Sequence, residues 1–256
     1  MHMHMDGINC FIDISGEGAA VLLLHGWGAT HQAWGRLPQM LNEMGFQCIS
    51  IDFPGHGKST DPPQAWSVDD YAQFVYRLLQ TLQIERCFVI AHSFGGRVTI
   101  RMASQFPELF EKIVLVDAAG VKPKRSCSYY IRQYTYKFAK QCAKIGLINR
   151  MFGLKKRMQN VGSEDYRALK TDTMRATFVK VVNQDLRPYL SDIHAPTLLV
   201  WGSEDQDTPL YMAKTMEKEI PNAGLVVLEG AGHYSYLDEF GRFVLIVKSF
   251  FLDQYV

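Results

Sequence analysis

Ser93 sits in Ala91-His92-Ser93-Phe94-Gly95-Gly96, after the apolar run Cys87-Phe88-Val89-Ile90 and before a helical pattern that starts at Arg97. A serine between strand and helix, with a small residue two positions away on each side, is the G-x-S-x-G layout that exposes a nucleophile on a tight turn. Ala91 and Gly95 hold the two flanking positions, Ala keeping the small size where Gly is usual, and Gly96 lets the helix sit close to a sheet. A hydroxyl is a poor nucleophile at neutral pH and needs a base to take its proton and an acid to orient that base. Histidine is the natural base, with an unperturbed pKa of about 6.5. His233, in Gly230-Ala231-Gly232-His233 after a strand near the C-terminus, has the loop position that role needs. His25, His56 and His92 adjoin glycine turns or the serine turn itself and are read as structural, bonded to loop backbone. Asp205, just past the strand that ends at Trp201, is read as the acid. Asp207 and Asp117 are the other candidates, Asp207 being taken as a helix cap before Thr208-Pro209.

Attack on a carbonyl creates an oxyanion, which needs donors fixed in advance, and losing one such donor costs about 2.7–4 kcal/mol. The Phe94 N–H lies at a helix start, where the helix dipole also favours negative charge. Trp27, in His25-Gly26-Trp27-Gly28 after an early strand, is expected to supply the second N–H and to line the acyl pocket with its indole.

These groups must be brought together by strands that alternate with helices. Residues 8–15 alternate like a half-buried strand, while 20–24 and 46–51 are apolar runs of the kind that fill a central parallel strand. Further strands are expected at 112–117, 197–201 and 225–228. Helical spacing covers 34–44, a segment opening at Ser67 with a capping-box-like pattern, 211–220 and roughly 242–253. The pattern implies an α/β fold, a mostly parallel sheet with helices on both faces. Between 121 and 189 the strand-like runs largely vanish and helical spacing takes over at Ile131, Tyr134, Phe138, Cys142 and Ile145, with a second helix from about Ser163. This predicts a core of 1–120 and 190–256 and an inserted helical cap (lid) at 121–189, with Tyr134 a candidate substrate contact.

The 256 residues are 47% hydrophobic and 21% charged, enough for one large core, and the net charge of +1 gives no global reason to expect nucleic acid. No apolar run approaches the ~18 residues of a membrane span. The first residues, Met1 to Asp6, lack the pattern of a signal peptide, and His2 and His4 fit a frayed terminus better than a metal site. Five scattered cysteines without C-x-x-C spacing fit a reducing, cytoplasmic setting, and no metal cluster or cofactor motif is visible.

Together, His25-Gly26-Trp27-Gly28, Asp52-x-x-Gly55-x-Gly57-x-Ser59, the Ser93 turn, Trp201-Gly202-x-x-Asp205-x-x-x-Pro209 and Gly232-His233 resemble the α/β-hydrolase superfamily over essentially the whole chain. The order Ser93, Asp205, His233 is that family's triad order. The His-Gly-Trp-Gly loop looks like the carboxylesterases of biotin synthesis. Ser93-Phe94-Gly95-Gly96-Arg97 is similar to the Ser-x-Gly-Gly-Arg of a menaquinone-synthesis lyase family, the 2-succinyl-6-hydroxy-2,4-cyclohexadiene-1-carboxylate synthases. Serine at 93 speaks against relatives with an aspartate nucleophile. The resemblance implies a serine carboxylesterase acting through an acyl-enzyme on a small-molecule ester. The alternatives are a lyase or C–C bond hydrolase, with Arg97 holding a substrate carboxylate, and a ligand sensor without turnover. Residues 121–190 carry 16 basic and 4 acidic residues against 11 and 22 elsewhere, which fits a solvated cap surface or an attraction for anionic substrates.

Overall fold

The computed structural model describes residues 1–123 and 164–252. Eight strands form one sheet in the order β1-β2-β4-β3-β5-β6-β7-β8. They are β1 (His2–Met5), β2 (Ile8–Ser15), β3 (Ala19–Leu24), β4 (Phe46–Ile51), β5 (Cys87–His92), β6 (Phe110–Val116), β7 (Thr197–Gly202) and β8 (Ala223–Leu228). β1 and β2 pair antiparallel, as do β2 and β4, and every later pairing is parallel. The chain steps outward from β3 to β4, then returns to lay β5 on the other side of β3. That reversal opens a crevice at the carboxyl ends of β3 and β5, where open α/β sheets bind ligands. The loops bearing Trp27 and Ser93 leave the sheet at this point.

The strand pattern sorts the core into two layers. On β3, Leu22 and Leu24 face one layer, with Tyr71, Phe74, Val75 and Leu78 of α2 (Val68–Thr81) and Val98 and Met102 of α3 (Phe94–Gln105). Val21 and Leu23 face the other, with Leu37 and Leu41 of α1 (Leu37–Glu43) and Phe243, Val247 and Phe251 of the C-terminal helix (Phe240–Leu252). Each fully buried Leu or Phe of this kind contributes ~1.5–3 kcal/mol. Ser67 and Asp70 form the reciprocal capping box at the start of α2.

The N-terminus corrects an expectation. His2–Met5 does not fray but pairs with β2, Met3 opposite Cys10 and Met5 opposite Ile8. Asp6 and Gly7 join the two strands with φ of 54° and 75°. Two left-handed residues of the Asp-Gly type make a hairpin turn that matches strand twist, a signal the sequence held.

The chain divides into two compact units, Met1–Lys122 with Thr173–Val256, and Pro123–Asp172. Within the described part of the second lies the short helix Glu164–Ala168. The helix Asp172–Asn183, labelled α5 below with Glu164–Ala168 as α4, is followed by a 3-10 turn at Arg187–Asp192 and then β7. Tyr134, Cys127 and Cys142 lie outside the described residues. Cys10, Cys48 and Cys87 are buried free thiols. Among the described residues no helix is long and apolar enough to cross a membrane.

Candidate active site

β5 ends at His92 and α3 begins at Phe94, leaving Ser93 at φ 48° and ψ −107°. A non-glycine residue so placed stores about 1–3 kcal/mol of strain and persists only where its surroundings over-determine it. They do so here. The Ser93 N–H donates to the Val116 carbonyl, and the Ser93 carbonyl accepts from Gly96 and Ala119 (3.0–3.1 Å). The Gly95 N–H donates to the His25 carbonyl at the end of β3. A Cβ on Gly95 would lie 2.0 Å from the Leu24 carbonyl oxygen, and one on Gly96 2.4 Å from Ala118 Cβ, so the turn can approach its neighbours only with glycine at both positions.

His233, in the loop after β8, reaches this serine. Its Nε2 lies 3.0 Å from Ser93 Oγ and its Nδ1 2.9 Å from Asp205 Oδ2. Asp205 Oδ1 accepts from the N–H groups of Asp207 and Thr208, and Oδ2 accepts from the Thr208 hydroxyl at 2.6 Å. The carboxylate is therefore saturated with donors. Burial pushes the Asp205 carboxyl up, but the hydrogen bonds from His233 and Thr208 outweigh it and hold the pKa below the ordinary value. Burial pulls the His233 imidazole down, and the Asp205 bond and charge, with Asp207 and Asp117 behind them, outweigh it and raise the pKa. A serine, an imidazole and a carboxylate in series can move one proton from hydroxyl to base and stabilise the imidazolium that results.

The rival acids are used otherwise. Asp207 contributes its backbone N–H to Asp205, and the helix Tyr211–Glu219 has no side-chain cap, so the expected capping by Asp207 is not formed. Asp117 is fully buried and takes the N–H groups of Gly202 and Ser235.

The three other histidines hold backbone. His25 Nδ1 donates to the Gly26 carbonyl and Nε2 accepts from Phe53 N–H. His92 Nε2 donates to the His233 carbonyl at 2.7 Å. His56 Nδ1 lies 3.3 Å from the Pro54 carbonyl. Burial, before any neighbouring charge, takes His25 and His92 down to about 3 and His56 down to about 4, so all three are neutral at pH 7. Sequence reasoning missed His31, whose N–H and Nδ1 both contact Asp52 Oδ1 while Lys58 N–H donates to Oδ2. These contacts tie the loop after β4 to the turn at His31.

Gly26 runs beside the elbow, since a Cβ there would lie 2.8 Å from His92 Nδ1 and 3.4 Å from Ser93 Cβ. The Trp27 backbone is thus adjacent to Ser93. Among the described residues, neither the Trp27 nor the Phe94 N–H is taken by a protein acceptor. The Trp27 ring stands 4.7 Å from His56, 5.1 Å from Phe94 and 5.2 Å from Phe178 of α5. Phe178 is a second residue that sequence reasoning missed, because an aromatic on an amphipathic helix carries no local sign of what it faces. Arg97 is buried, and its guanidinium donates to the Gln184 carbonyl at 2.8 Å, with burial lowering its pKa to about 10. Among the described residues, Asp205, Asp207 and His233 are close enough to share a metal ion, though His233 Nδ1 and Asp205 Oδ2 bond each other.

The family model described as alpha/beta hydrolase fold matches residues 19–240. A pimeloyl-[acyl-carrier protein] methyl ester esterase of Nitrosomonas europaea is 27% identical over 91% of this chain and 96% of its own length. A 2-hydroxy-6-oxo-6-phenylhexa-2,4-dienoate hydrolase of Comamonas testosteroni is 26% identical over 90% and 88%. The solved structure of an esterase from Exiguobacterium antarcticum superposes with a TM-score of 0.74 over 96% of both chains at 23% identity.

Proposed function

The chain belongs to the α/β hydrolase fold family, and from that premise we propose that it is a serine hydrolase cleaving carboxylic esters of small molecules. The observation that carries this reading is the continuous contact from Ser93 Oγ through His233 to Asp205, at 3.0 and 2.9 Å. His233 takes the Ser93 proton as Oγ attacks the ester carbonyl. The N–H groups of Trp27 and Phe94 receive the oxyanion. His233 returns the proton to the leaving alcohol, and water then clears the acyl-enzyme by the same route. Every proton in this scheme moves between Ser93, His233, substrate and water. Trp27, Phe94, His56 and Phe178 give the acyl group an aromatic wall. The excess of Lys and Arg over residues 121–190 favours anionic substrates through its charge.

The similarity to a dienoate hydrolase supports a second reading, cleavage of a C–C bond in a carboxylated diketone. The placement of Arg97 weighs against it, because a guanidinium bonded to the Gln184 carbonyl must break that bond to hold a substrate carboxylate. A fluorophosphonate probe should label Ser93, and Ser93→Ala should lower turnover of nitrophenyl esters by roughly 10⁶-fold. Ester turnover that survives in S93A removes the proposal. A carboxylated diketone turned over much faster than any ester, with loss in Arg97→Ala, moves it to the second reading.

A further inference from the structure

Asp117 is a buried carboxylate that the scheme above does not use. It stands just past β6 with φ of 44°, a left-handed conformation that a non-glycine residue holds only under constraint. Its bonds reach both the loop that carries Asp205 and the loop that carries His233. Oδ1 accepts the Gly202 N–H at 2.8 Å, three residues before Asp205. Oδ2 accepts the Ser235 N–H at 3.0 Å, two residues after His233. Its carbonyl lies 3.0 Å from the Thr208 hydroxyl, the same hydroxyl that binds Asp205. The two loops already touch where Gly202 passes Ala231 and Gly232, since a Cβ on Gly202 would lie 2.2–2.4 Å from their carbonyl oxygens. Two negative oxygens in one rigid carboxylate fix the separation of Gly202 and Ser235, and a neutral side chain offers no such pair of acceptors.

Resting on the Ser93–His233–Asp205 reading, we infer that Asp117 is a positioning residue whose carboxylate ties the acid-bearing loop to the base-bearing loop, so that His233 meets Ser93 and Asp205 in register. The titratable groups facing it are Asp205 on the loop after β7 and His233 and Tyr236 on the segment after β8. Burial pushes the Asp117 carboxyl up to about 7 against the hydrogen bonds from Ser235 and Gly202, so its charge is costly to hold and is held by these contacts.

Asp117→Asn keeps the volume and leaves one backbone N–H facing an amide NH₂. Misplacement of the base should lower kcat for a nitrophenyl ester by about tenfold to a hundredfold. KM should stay within about twofold, because ground-state binding is untouched. Asp117 gains its proton near pH 7, so removing it should also take that ionisation step out of the acidic limb of kcat/KM and leave the limb at lower pH. Ser235→Pro deletes one of the two donors at the first position of a short helix (Ser235–Asp238), where proline is tolerated. It should lower kcat less and leave the limb in place. A D117N protein with unchanged kcat and an unmoved limb overturns the inference, as does a rise in KM with no change in kcat. Should D117N fail to fold, S235P with unchanged kcat does the same. Fluorophosphonate labelling of the unaltered protein separates the two levels. Absence of Ser93 labelling overturns the serine-hydrolase reading and this inference with it, whereas labelling with an unaffected D117N overturns the inference alone.

Discussion

On the nucleophile side, the turn after β5 is fixed by backbone. Ser93 is locked by main-chain bonds to Val116, Gly96 and Ala119, and Gly95 and Gly96 admit no side chain. On the base side, backbone bonds from Ser203 and Glu204 to the Leu228 and Ala231 carbonyls join the loops after β7 and β8, but polar side chains place Asp205 and His233 themselves. Asp205 gathers Asp207, Thr208 and His233, Asp117 gathers Gly202 and Ser235, and His92 grips the His233 carbonyl. Ser93 thus sits in a rigid steric socket, while the imidazole of His233, the base of the proposed scheme, hangs from adjustable bonds. The two sides should fail in different ways, the first through volume and the second through charge.

Among substitutions that leave the nucleophile in place, the largest loss of activity belongs to the base side. Asp205→Asn keeps the shape but presents an amide to His233 Nδ1, favouring the wrong tautomer. A loss of about 10⁴-fold in kcat is expected, as in serine triads generally, with little change in thermal stability. Steady-state kinetics beside a melting curve checks both halves, and a stability loss that matches the activity loss would erase the contrast. Gly95→Ala should show the reverse. Its new Cβ meets a backbone oxygen that cannot rotate away, so about 3 kcal/mol or more of stability should go, and activity goes with folding. Gly224→Ala is the control, since nothing among the described residues lies within 4 Å of a Cβ there. Denaturant unfolding of both variants should separate them, and equal midpoints would show that the elbow yields.

The same contrast explains what could be read from residues alone. The nucleophile side was legible because its constraints are local: small residues must stand two positions either side of Ser93, and glycine must follow the early strand. Alternation of apolar runs placed β2 to β8 for the same reason, that side-chain period follows backbone geometry. The base side was legible only as candidates. Asp205, Asp207 and Asp117 all follow strands, and what separates them is whether a carboxylate oxygen faces an imidazole or an N–H lying 85 or 118 positions away in the chain. The turn chemistry of Asp6-Gly7 was present but passed over, because a four-residue strand at the terminus lacks the length to show alternation. Phe178 and His31 carried no signal, since their roles are set by tertiary neighbours.

Buried ionisable groups on both sides set an acid limit. Below pH 6.5 the unfolded chain protonates His25, His56 and His92, which the folded chain keeps neutral down to about 3 to 4. Asp117 acts in the opposite sense, because the folded chain holds its proton below about 7 while the unfolded chain releases it down to about 4. Stability rises with pH wherever the unfolded state binds more protons. Three protons against one leave a net of two, so stability should fall by about 3 kcal/mol per pH unit between pH 6 and 5. Urea unfolding across that window checks it, and a flat profile would mean that the histidines titrate in the folded protein.

The smallest effect should come from the residue that joins the two sides. His92 ends β5 and donates to the His233 carbonyl, while its buried Nδ1 has no partner among the described residues. His92→Phe keeps a ring of similar size and deletes both nitrogens. The unpaired carbonyl costs about 1–3 kcal/mol, and removing an unsatisfied buried nitrogen returns a similar amount. Net stability at pH 8 should therefore move by no more than about 1 kcal/mol. The loosened His233 loop should lower kcat by about threefold to tenfold, well short of the loss expected for D205N. With one buried imidazole gone, the net uptake on unfolding drops to one proton, and the acid slope should halve to about 1.4 kcal/mol per pH unit. A halved slope with near-normal stability at pH 8 would place the bond on the base side as a tether. A large loss at pH 8 would place it instead among the rigid supports of the elbow.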